Sequence, residues 1–318
     1  MTGRRDARRR DLKRACRLGL AALAAAPLLA GCRYDIFDQH GPVGAADAMI
    51  TMDALVIMLA IVIPTMIATV AFAWWFRASN TKARYLPDWN FSGRLELLVW
   101  AIPILVIMFL GGVIWIGSHQ LDPAEPLPSA KTTRPLDVQV VSMDWKWLFI
   151  YPEQGIASVN HLVVPVRTPV HFTLTSSSVM NAFFVPQLGS MIYTMNGMAD
   201  HLWLQADDQG RYLGESTMFS GDGFSDMQFN VDAVPASGFA AWVKAAQGSG
   251  PVLDQAAYQQ LQAQSTRNAP VTYRGVMPNL FQQVVMQKLP PGPGPADRQP
   301  STAGQPAQAV RPRQNQEP

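Results

Sequence analysis

Two apolar runs, residues 54–76 and 97–116, constrain this chain more than any other feature. Neither holds a charged residue. At 23 and 20 residues, both reach the length of roughly 20 helical residues that crosses a bilayer core. A helix in the core of a soluble protein keeps a polar face, and neither run has one. In lipid a segment must satisfy its backbone internally, so the pair predicts a transmembrane helical hairpin over 54–116. Pro64 and Pro103 interrupt the runs, which membrane helices tolerate. Trp74, Trp75 and Trp115 stand near the ends, where an aromatic belt belongs. The loop between the runs carries Arg77, Lys82, Arg84 and Arg94, and loops rich in such residues stay on the cytoplasmic side. The segment before the hairpin and the C-terminal bulk are then both outside.

The start of the chain agrees with that orientation. Eight basic residues, Arg4, Arg5, Arg8, Arg9, Arg10, Lys13, Arg14 and Arg17, precede an apolar stretch at 18–29, so residues 1–31 read as a signal peptide. The net charge of +2 comes from this leader, and without it the chain is acidic. A basic run that ends in an apolar stretch is not a folded basic face, so no nucleic-acid partner is expected. Leu29-Ala30-Gly31-Cys32 resembles the lipobox of bacterial lipoproteins. That resemblance implies cleavage before Cys32, a diacylglyceryl thioether on its sulfur and an acylated amino terminus. The alternative is an uncleaved anchor with a chance cysteine. The chain has two cysteines, Cys16 and Cys32. Beyond position 32 it therefore has neither a disulfide nor a thiolate metal ligand.

Residues 32–53 read as a short linker outside the membrane, with a turn at Gly41-Pro42 and Asp53 as the N-cap of the first helix. Residues 117–135 read as a Pro-rich linker. From Leu136 the pattern changes to period two: Val138, Val140, Trp145 and Trp147 alternate with Asp137, Gln139, Asp144 and Lys146, the signature of a half-buried strand. Further β-rich runs lie at 161–166, 170–175, 183–185, 201–206 and 227–234, with turn signals between them. The series over 136–235 predicts an all-β sandwich or small Greek-key barrel. Short helices are expected at 239–246, capped by Ser237, then from Asp254 through Leu261, and at 278–288, making 236–289 a helical C-terminal extension. Residues 290–318 have no apolar spacing and read as a disordered tail.

Specific residues then narrow the field. Val141-Ser142-Met143-Asp144-Trp145-Lys146-Trp147 with Tyr151-Pro152-Glu153-Gln154-Gly155 resembles subunit II of the bo-type ubiquinol oxidases. So do Ser178-Val179-Met180-Asn181, Gly189-Ser190-Met191-Ile192-Tyr193, the spacing of Tyr34 from Cys32, and Glu96 with Trp100 and Pro103. The resemblance covers about residues 20–290. It implies a two-helix hairpin carrying a cupredoxin-like barrel. Subunit II of the cytochrome c oxidases shares that fold and binds a two-copper centre through one early His and a later loop of Cys, Cys, His and Met. Here the early position falls on Asn181, and the later ones on Phe219, Gly223, Met227 and Asn230. Every side-chain ligand is lost, and no thiolate is there to bridge a copper pair.

The resemblance further implies a membrane complex that oxidises ubiquinol and reduces oxygen to water. Its haems and copper belong to subunit I, and none of these cofactors belongs to this chain. Subunit I is then the main partner, with subunits III and IV and membrane lipid beside it. Glu96 has two readings. It is either a carboxylate favoured by the N-terminal end of a helix, or, as the resemblance implies, the cytoplasmic entrance of a proton channel. Trp145 and Trp147 read as core packing, although in the cytochrome-using relatives that region helps receive the electron donor. A copper or zinc site built from His161, His171 and His201 stays open beside the plainer reading of half-exposed strand residues. Met191, Met195 and Met198 read as fillers, not as copper ligands. Two rivals remain: a copper-bearing cytochrome c oxidase subunit II, and a free-standing envelope lipoprotein that binds a partner or ligand.

Overall fold

The structure, a computed structural model, describes residues 36–84 and 86–294. The expected leader, the acylated Cys32 with residues 33–35, and residues 295–318 of the expected tail lie outside the described residues.

Two long helices come first, α1 (Pro42–Trp75) and α2 (Gly93–Gln120). Both are long and apolar enough to cross a membrane. Their 34 and 28 residues correspond to lengths of about 51 and 42 Å. Along their apolar stretches none of the residues is buried, with Leu97, Trp100, Ile107 and Met108 each about 70% exposed. At the end of α1 the Arg77 guanidinium lies 4.9 Å from the centre of the Trp74 ring, a cation–π contact.

The first helix corrects the expected linker. It begins at Pro42, twelve residues before the apolar run, and Asp53 lies inside it and caps nothing. Gly41 holds the extended N-cap position and Pro42 comes next at the first helical position, where its missing N–H is no loss. The early start has a packing cause. Val43 is buried in the core of the β domain, and the Gly44 amide donates to Leu188 O at 3.1 Å. A Cβ at Gly189 would meet Val43 Cγ1 at 2.7 Å, and φ there is +145°. Only glycine fits such a turn against a helix. Ser190 Oγ donates to Asp47 Oδ2 at 3.1 Å from the same loop. The expected Pro-rich linker is also partly ordered: α2 runs on to Gln120, and a 3-10 turn forms at Pro128–Lys131.

The domain beyond is a two-sheet sandwich. Its strands are β1 (Leu136–Met143), β2 (Lys146–Tyr151), β3 (Ile156–Val159), β4 (His161–Pro165), β5 (Val170–Ser176), β6 (Asn181–Phe184), β7 (Ile192–Thr194), β8 (Asp200–Leu204), β9 (Gly210–Ser216) and β10 (Gln228–Val234). The C-terminal extension adds α3 (Ala236–Gly248), β11 (Val252–Leu253), α4 (Gln255–Gln262), β12 (Val271–Tyr273), β13 (Gly275–Val276) and α5 (Leu280–Val285). One sheet has the order β12-β3-β2-β1-β5-β8, the other β4-β10-β9-β6-β7. The pairs β1/β5 and β4/β10 are parallel and the remaining pairs of both sheets antiparallel. The chain changes sheet repeatedly, between β3 and β4, β4 and β5, β5 and β6, β7 and β8, and β8 and β9. This is the mixed, cupredoxin-like arrangement, with short helices after it.

The period-two stretch at 138–147 is not one strand. It folds back at Asp144-Trp145, and β1 pairs with β2 with Met143 opposite Lys146. Alternation survives the turn because each arm keeps it. Trp147, Phe149 and Tyr151 face the inter-sheet core, while Leu148 and Ile150 face the extension. Trp147, Phe149, Phe183 and Phe229 make an aromatic cluster with ring centres 5.1–6.4 Å apart. Each such ring, fully buried, contributes about 1.5–3 kcal/mol. On the other face, Val141, Met143, Leu148 and Ile150 pack against Leu253, Tyr258, Leu280 and Phe281. The first sheet is thus covered on both faces around β2 and β3, which explains why every residue of those strands is buried. α3 starts at Ala236, so Ser237 lies within it and is not its cap. Asp254 does cap α4, accepting from the Ala257 amide at 2.9 Å.

Candidate functional site

The two-residue turn between β1 and β2 is where the β domain concentrates its unusual geometry. Trp145 has φ +61°, a left-handed conformation that is uncommon for a bulky residue. Its indole Nε1–H donates to Ser220 O at 3.0 Å. The ring lies over Gly223, where a Cβ would stand 2.3 Å from Trp145 Cδ2. The indole thereby closes the end of the barrel between the turn and the β9–β10 loop. Trp145 is 8% exposed and belongs to the core, as does Trp147.

The five positions that the sequence aligns with copper ligands carry no set of ligand side chains. Asn181, on β6, is buried; its Nδ2 donates to Val179 O at 3.2 Å and its Oδ1 accepts from Ser216 Oγ at 3.3 Å. Phe219 is 75% exposed and packs edge-on to Phe224 at 5.6 Å. Gly223 offers no side chain. Met227 is buried in the core. Asn230 lies on β10 opposite His161, on the face turned away from buried Phe229 and Val231. An amide already hydrogen-bonded, a phenyl ring, a bare backbone, a core thioether and an outward amide do not fit a two-copper centre, which needs thiolates and imidazoles.

The residues flanking Trp145 do something the sequence did not suggest. Lys146 is buried, and its ammonium donates to Leu261 O at 2.8 Å, Ala263 O at 2.6 Å and Ser265 Oγ at 2.7 Å. Those oxygens lie at and just beyond the C-terminal end of α4, where unsatisfied carbonyls favour a cation. Burial pulls the Lys146 pKa down from 10.5, and the Asp144 carboxylate pushes it back up. Asp144 is also buried; it accepts from Ser178 Oγ at 2.5 Å, Gly294 N at 2.9 Å and Gln264 Nε2 at 3.4 Å. The amide of Gly292 donates to Ser177 O at 2.7 Å. The start of the expected tail is therefore pinned to the barrel as far as Gly294. One turn, Asp144-Trp145-Lys146, closes the barrel end and clips the extension to it. The only sequence signal was a pair of charges within an otherwise apolar aromatic stretch.

The histidines separate. His161, on the second sheet, bonds Asp232 Oδ2 at 2.8 Å. Arg211 also grips Asp232, at 2.7 and 3.1 Å, and holds its carboxyl below the usual carboxylate range, with a smaller contribution from His161. His171 and His201 lie on the first sheet. His171 Nδ1 meets Asp137 Oδ1 at 2.9 Å, and its Nε2 meets His201 Nδ1 at 3.1 Å. Among the described residues no three His, Cys, Asp or Glu side chains gather as a metal site. The structure thus does not unite His161 with the other two.

Glu96 stands apart from all of these. It lies in the first turn of α2, with its amide bonded to Ser92 O at 3.0 Å and its side chain exposed. The helix rises about 36 Å from Glu96 to its far end at Gln120. Cys32 falls outside the described residues.

Known proteins resemble this chain in sequence. The family described as "Cytochrome C oxidase subunit II, periplasmic domain" matches residues 152–234, and "COX Aromatic Rich Motif" matches 247–292. "Ubiquinol oxidase subunit 2" of Acetobacter aceti is 49% identical over 275 residues, which cover 86% of this chain and 88% of that protein. "Cytochrome bo(3) ubiquinol oxidase subunit 2" of Pseudomonas aeruginosa is 45% identical over 264 residues, 83% of this chain and 79% of that one. Among solved structures, the periplasmic domain of subunit II of cytochrome oxidase (CoxB) of Bradyrhizobium japonicum is 26% identical. It covers 36% of this chain and 94% of that chain with a TM-score of 0.34.

Proposed function

The chain belongs to the subunit 2 family of the ubiquinol oxidases, and we propose that within a cytochrome bo-type complex it is the metal-free subunit that braces the haem–copper subunit I. The complex oxidises ubiquinol and reduces oxygen to water. The haems and copper of subunit I supply the electron transfer and the oxygen chemistry. This chain supplies the surfaces around them: α1 and α2, bare of internal cover, pack against subunit I and lipid, with subunits III and IV completing the assembly. The β domain covers the outer face. The complex then sits in a bacterial inner membrane, with Cys32 acylated as a second anchor and the β domain in the periplasm.

The observation that carries this reading is the Trp145 indole lying over Gly223, with Asn181, Phe219, Met227 and Asn230 in place of ligands. A relay for electrons arriving from water needs a redox centre at that end of the barrel. A donor dissolved in the membrane does not, because it reaches subunit I laterally. Glu96, at the cytoplasmic start of α2, is then placed to feed protons into subunit I.

The test is purification through a tag on this chain in mild detergent. A haem spectrum in the eluate, with ubiquinol-driven oxygen uptake, is the expected result. Elution without haem makes the chain a free-standing lipoprotein. A stoichiometric dinuclear copper signal from the chain itself makes it a cytochrome c oxidase subunit. Either outcome overturns the proposal.

A further inference from the structure

Pro103 lies inside α2, two helical turns beyond Glu96. Proline has no N–H, so the carbonyl four residues earlier, that of Val99, has lost its helical donor. Glu96 stands at the edge of the uncharged run. That puts the bare acceptor about 5 Å deeper along the helix, where a bilayer offers no hydrogen bond. The helix cannot repair the gap itself. Over 97–117 its only polar side-chain atoms are the indole N–H groups of Trp100 and Trp115. The Trp100 side chain leans toward the start of the helix, whereas the Val99 carbonyl points toward its end. Trp115 is too far along the helix to reach it.

The position of this gap around the helix is specific. At about 100° per residue, Glu96, Trp100, Pro103 and Ile107 fall within a sector of about 60°. The gap beside the Pro103 ring opens on that sector, in line with the carboxylate. The first helix does not cover it. Gly117, where a Cβ would meet Ile50 Cδ1 of α1 at 2.8 Å, marks the side on which α1 packs, and the half-covered Val106, Leu110 and Val113 share that side. It lies about a quarter turn from the Glu96 sector. Trp100 and Ile107 are each 69% exposed. The opposite face, with Leu98, Leu105 and Ile116, is purely apolar and suits lipid.

We infer that the Glu96–Trp100–Pro103–Ile107 face of α2 is the one that meets subunit I, and that the Val99 carbonyl accepts a hydrogen bond there from an O–H group, of that subunit or of a water held between the two. The inference rests on the reading of this chain as the bracing subunit with Glu96 as a proton entrance, and it deepens that reading. A carboxylate at the membrane edge and a bare carbonyl about one turn deeper are two polar stations on one line. Acyl chains offer the carbonyl no donor, so a lipid-facing placement leaves it unmet. A polar seam against a protein partner meets it and continues the path from Glu96 inward. Pro103 is then a positioning residue, acting through the backbone of Val99.

The test uses the whole oxidase in lipid. Ile107→Cys and Leu105→Cys are made singly and treated with a maleimide dissolved in the bilayer, and labelling is read by mass on this chain. Leu105→Cys is expected to react and Ile107→Cys to be protected about tenfold. Equal labelling, or the reverse order, places lipid on the Glu96 face and overturns the proposal. Pro103→Ala returns an N–H to the Val99 carbonyl. Ubiquinol-driven oxygen uptake is expected to fall about threefold with haem content per complex unchanged, and to fall no further when Glu96→Gln is added. Loss of haem in Pro103→Ala makes the proline a structural kink and overturns the proposal, as do losses that multiply in the double variant. Uptake unchanged by Glu96→Gln alone is a failure of the proton-entrance reading, and the labelling contrast then still decides which face of α2 is packed.

Discussion

Gly223 and Trp145 are in contact so close that no side chain fits between them: a Cβ at 223 would lie 2.3–2.6 Å from three atoms of the indole. The obstacle is a rigid ring, 8% exposed and anchored by its own hydrogen bond to Ser220 O. Gly223→Ala must therefore push the indole outward, an overpacking cost of about 1–3 kcal/mol. The melting temperature is expected to fall and the Trp145 hydrogen bond to lengthen. In a Trp145→Leu background the same glycine substitution is expected to cost less than half as much, and a double-mutant cycle measures the difference. Equal costs in both backgrounds would mean that the ring is not what excludes a side chain there.

Lys146 holds the extension through three oxygens, so its removal is expected to loosen 255–294 before the barrel itself. Lys146→Met keeps most of the apolar stem but strips the ammonium. Hydrogen bonds to charged groups are worth about 1.5–3 kcal/mol each at most, offset here by the cost of burying the ion. We expect a net loss of about 2–3 kcal/mol. Limited proteolysis should cut first near Ala263 and Ser265, while the Trp147–Phe229 cluster keeps its near-ultraviolet signature. Simultaneous loss of both would place the weak point in the barrel.

Arg211 and Asp232 give a pH prediction of definite sign. The guanidinium, and to a lesser degree His161, hold the Asp232 carboxyl below its ordinary 3.8. The pair's contribution is therefore complete above the unfolded value and is lost as the pH falls through the lower, folded one. Arg211 is 69% exposed, so solvent screens the pair and its contribution is small. Arg211→Gln is expected to move the acid-unfolding midpoint slightly to higher pH, with only a small loss of stability at neutral pH. Raising the salt concentration should shrink the difference between the two proteins.

Much of the architecture was legible because it rests on period and length. Runs of 23 and 20 uncharged residues leave few alternatives to membrane helices, and the β runs at 161–166 and 170–175 coincide closely with β4 and β5. What escaped was set by contacts distant in sequence. Pro42 starts a helix because Val43 finds a pocket formed by residues near Leu188. Asp144-Trp145 turns because Ser220 and Gly223 receive the indole, although a single Asp is the one turn-favouring residue in Asp-Trp-Lys-Trp. β9 was missed because Gly210 and Gly214 break its pattern, yet Gly214 is what makes room for Phe229. The resemblance alone assigns the copper-ligand positions, and it takes the strand to show that Asn230 faces away from the buried side of β10.

Glu96 tests whether its place at the start of α2 is structural or functional. As a carboxylate in the first turn it favours the helix dipole, worth about 0.3–1 kcal/mol, and that role touches only stability. As a proton entrance it must ionise and reprotonate during turnover. Glu96→Gln keeps the shape and removes that ability. We expect ubiquinol-driven oxygen uptake to fall about fivefold, equivalent to about 1 kcal/mol on the limiting barrier. Haem content per complex should stay intact, and Glu96→Asp should restore part of the rate. A purely structural role predicts the reverse pattern: rates unchanged in both variants, and a slightly lower melting temperature for the glutamine.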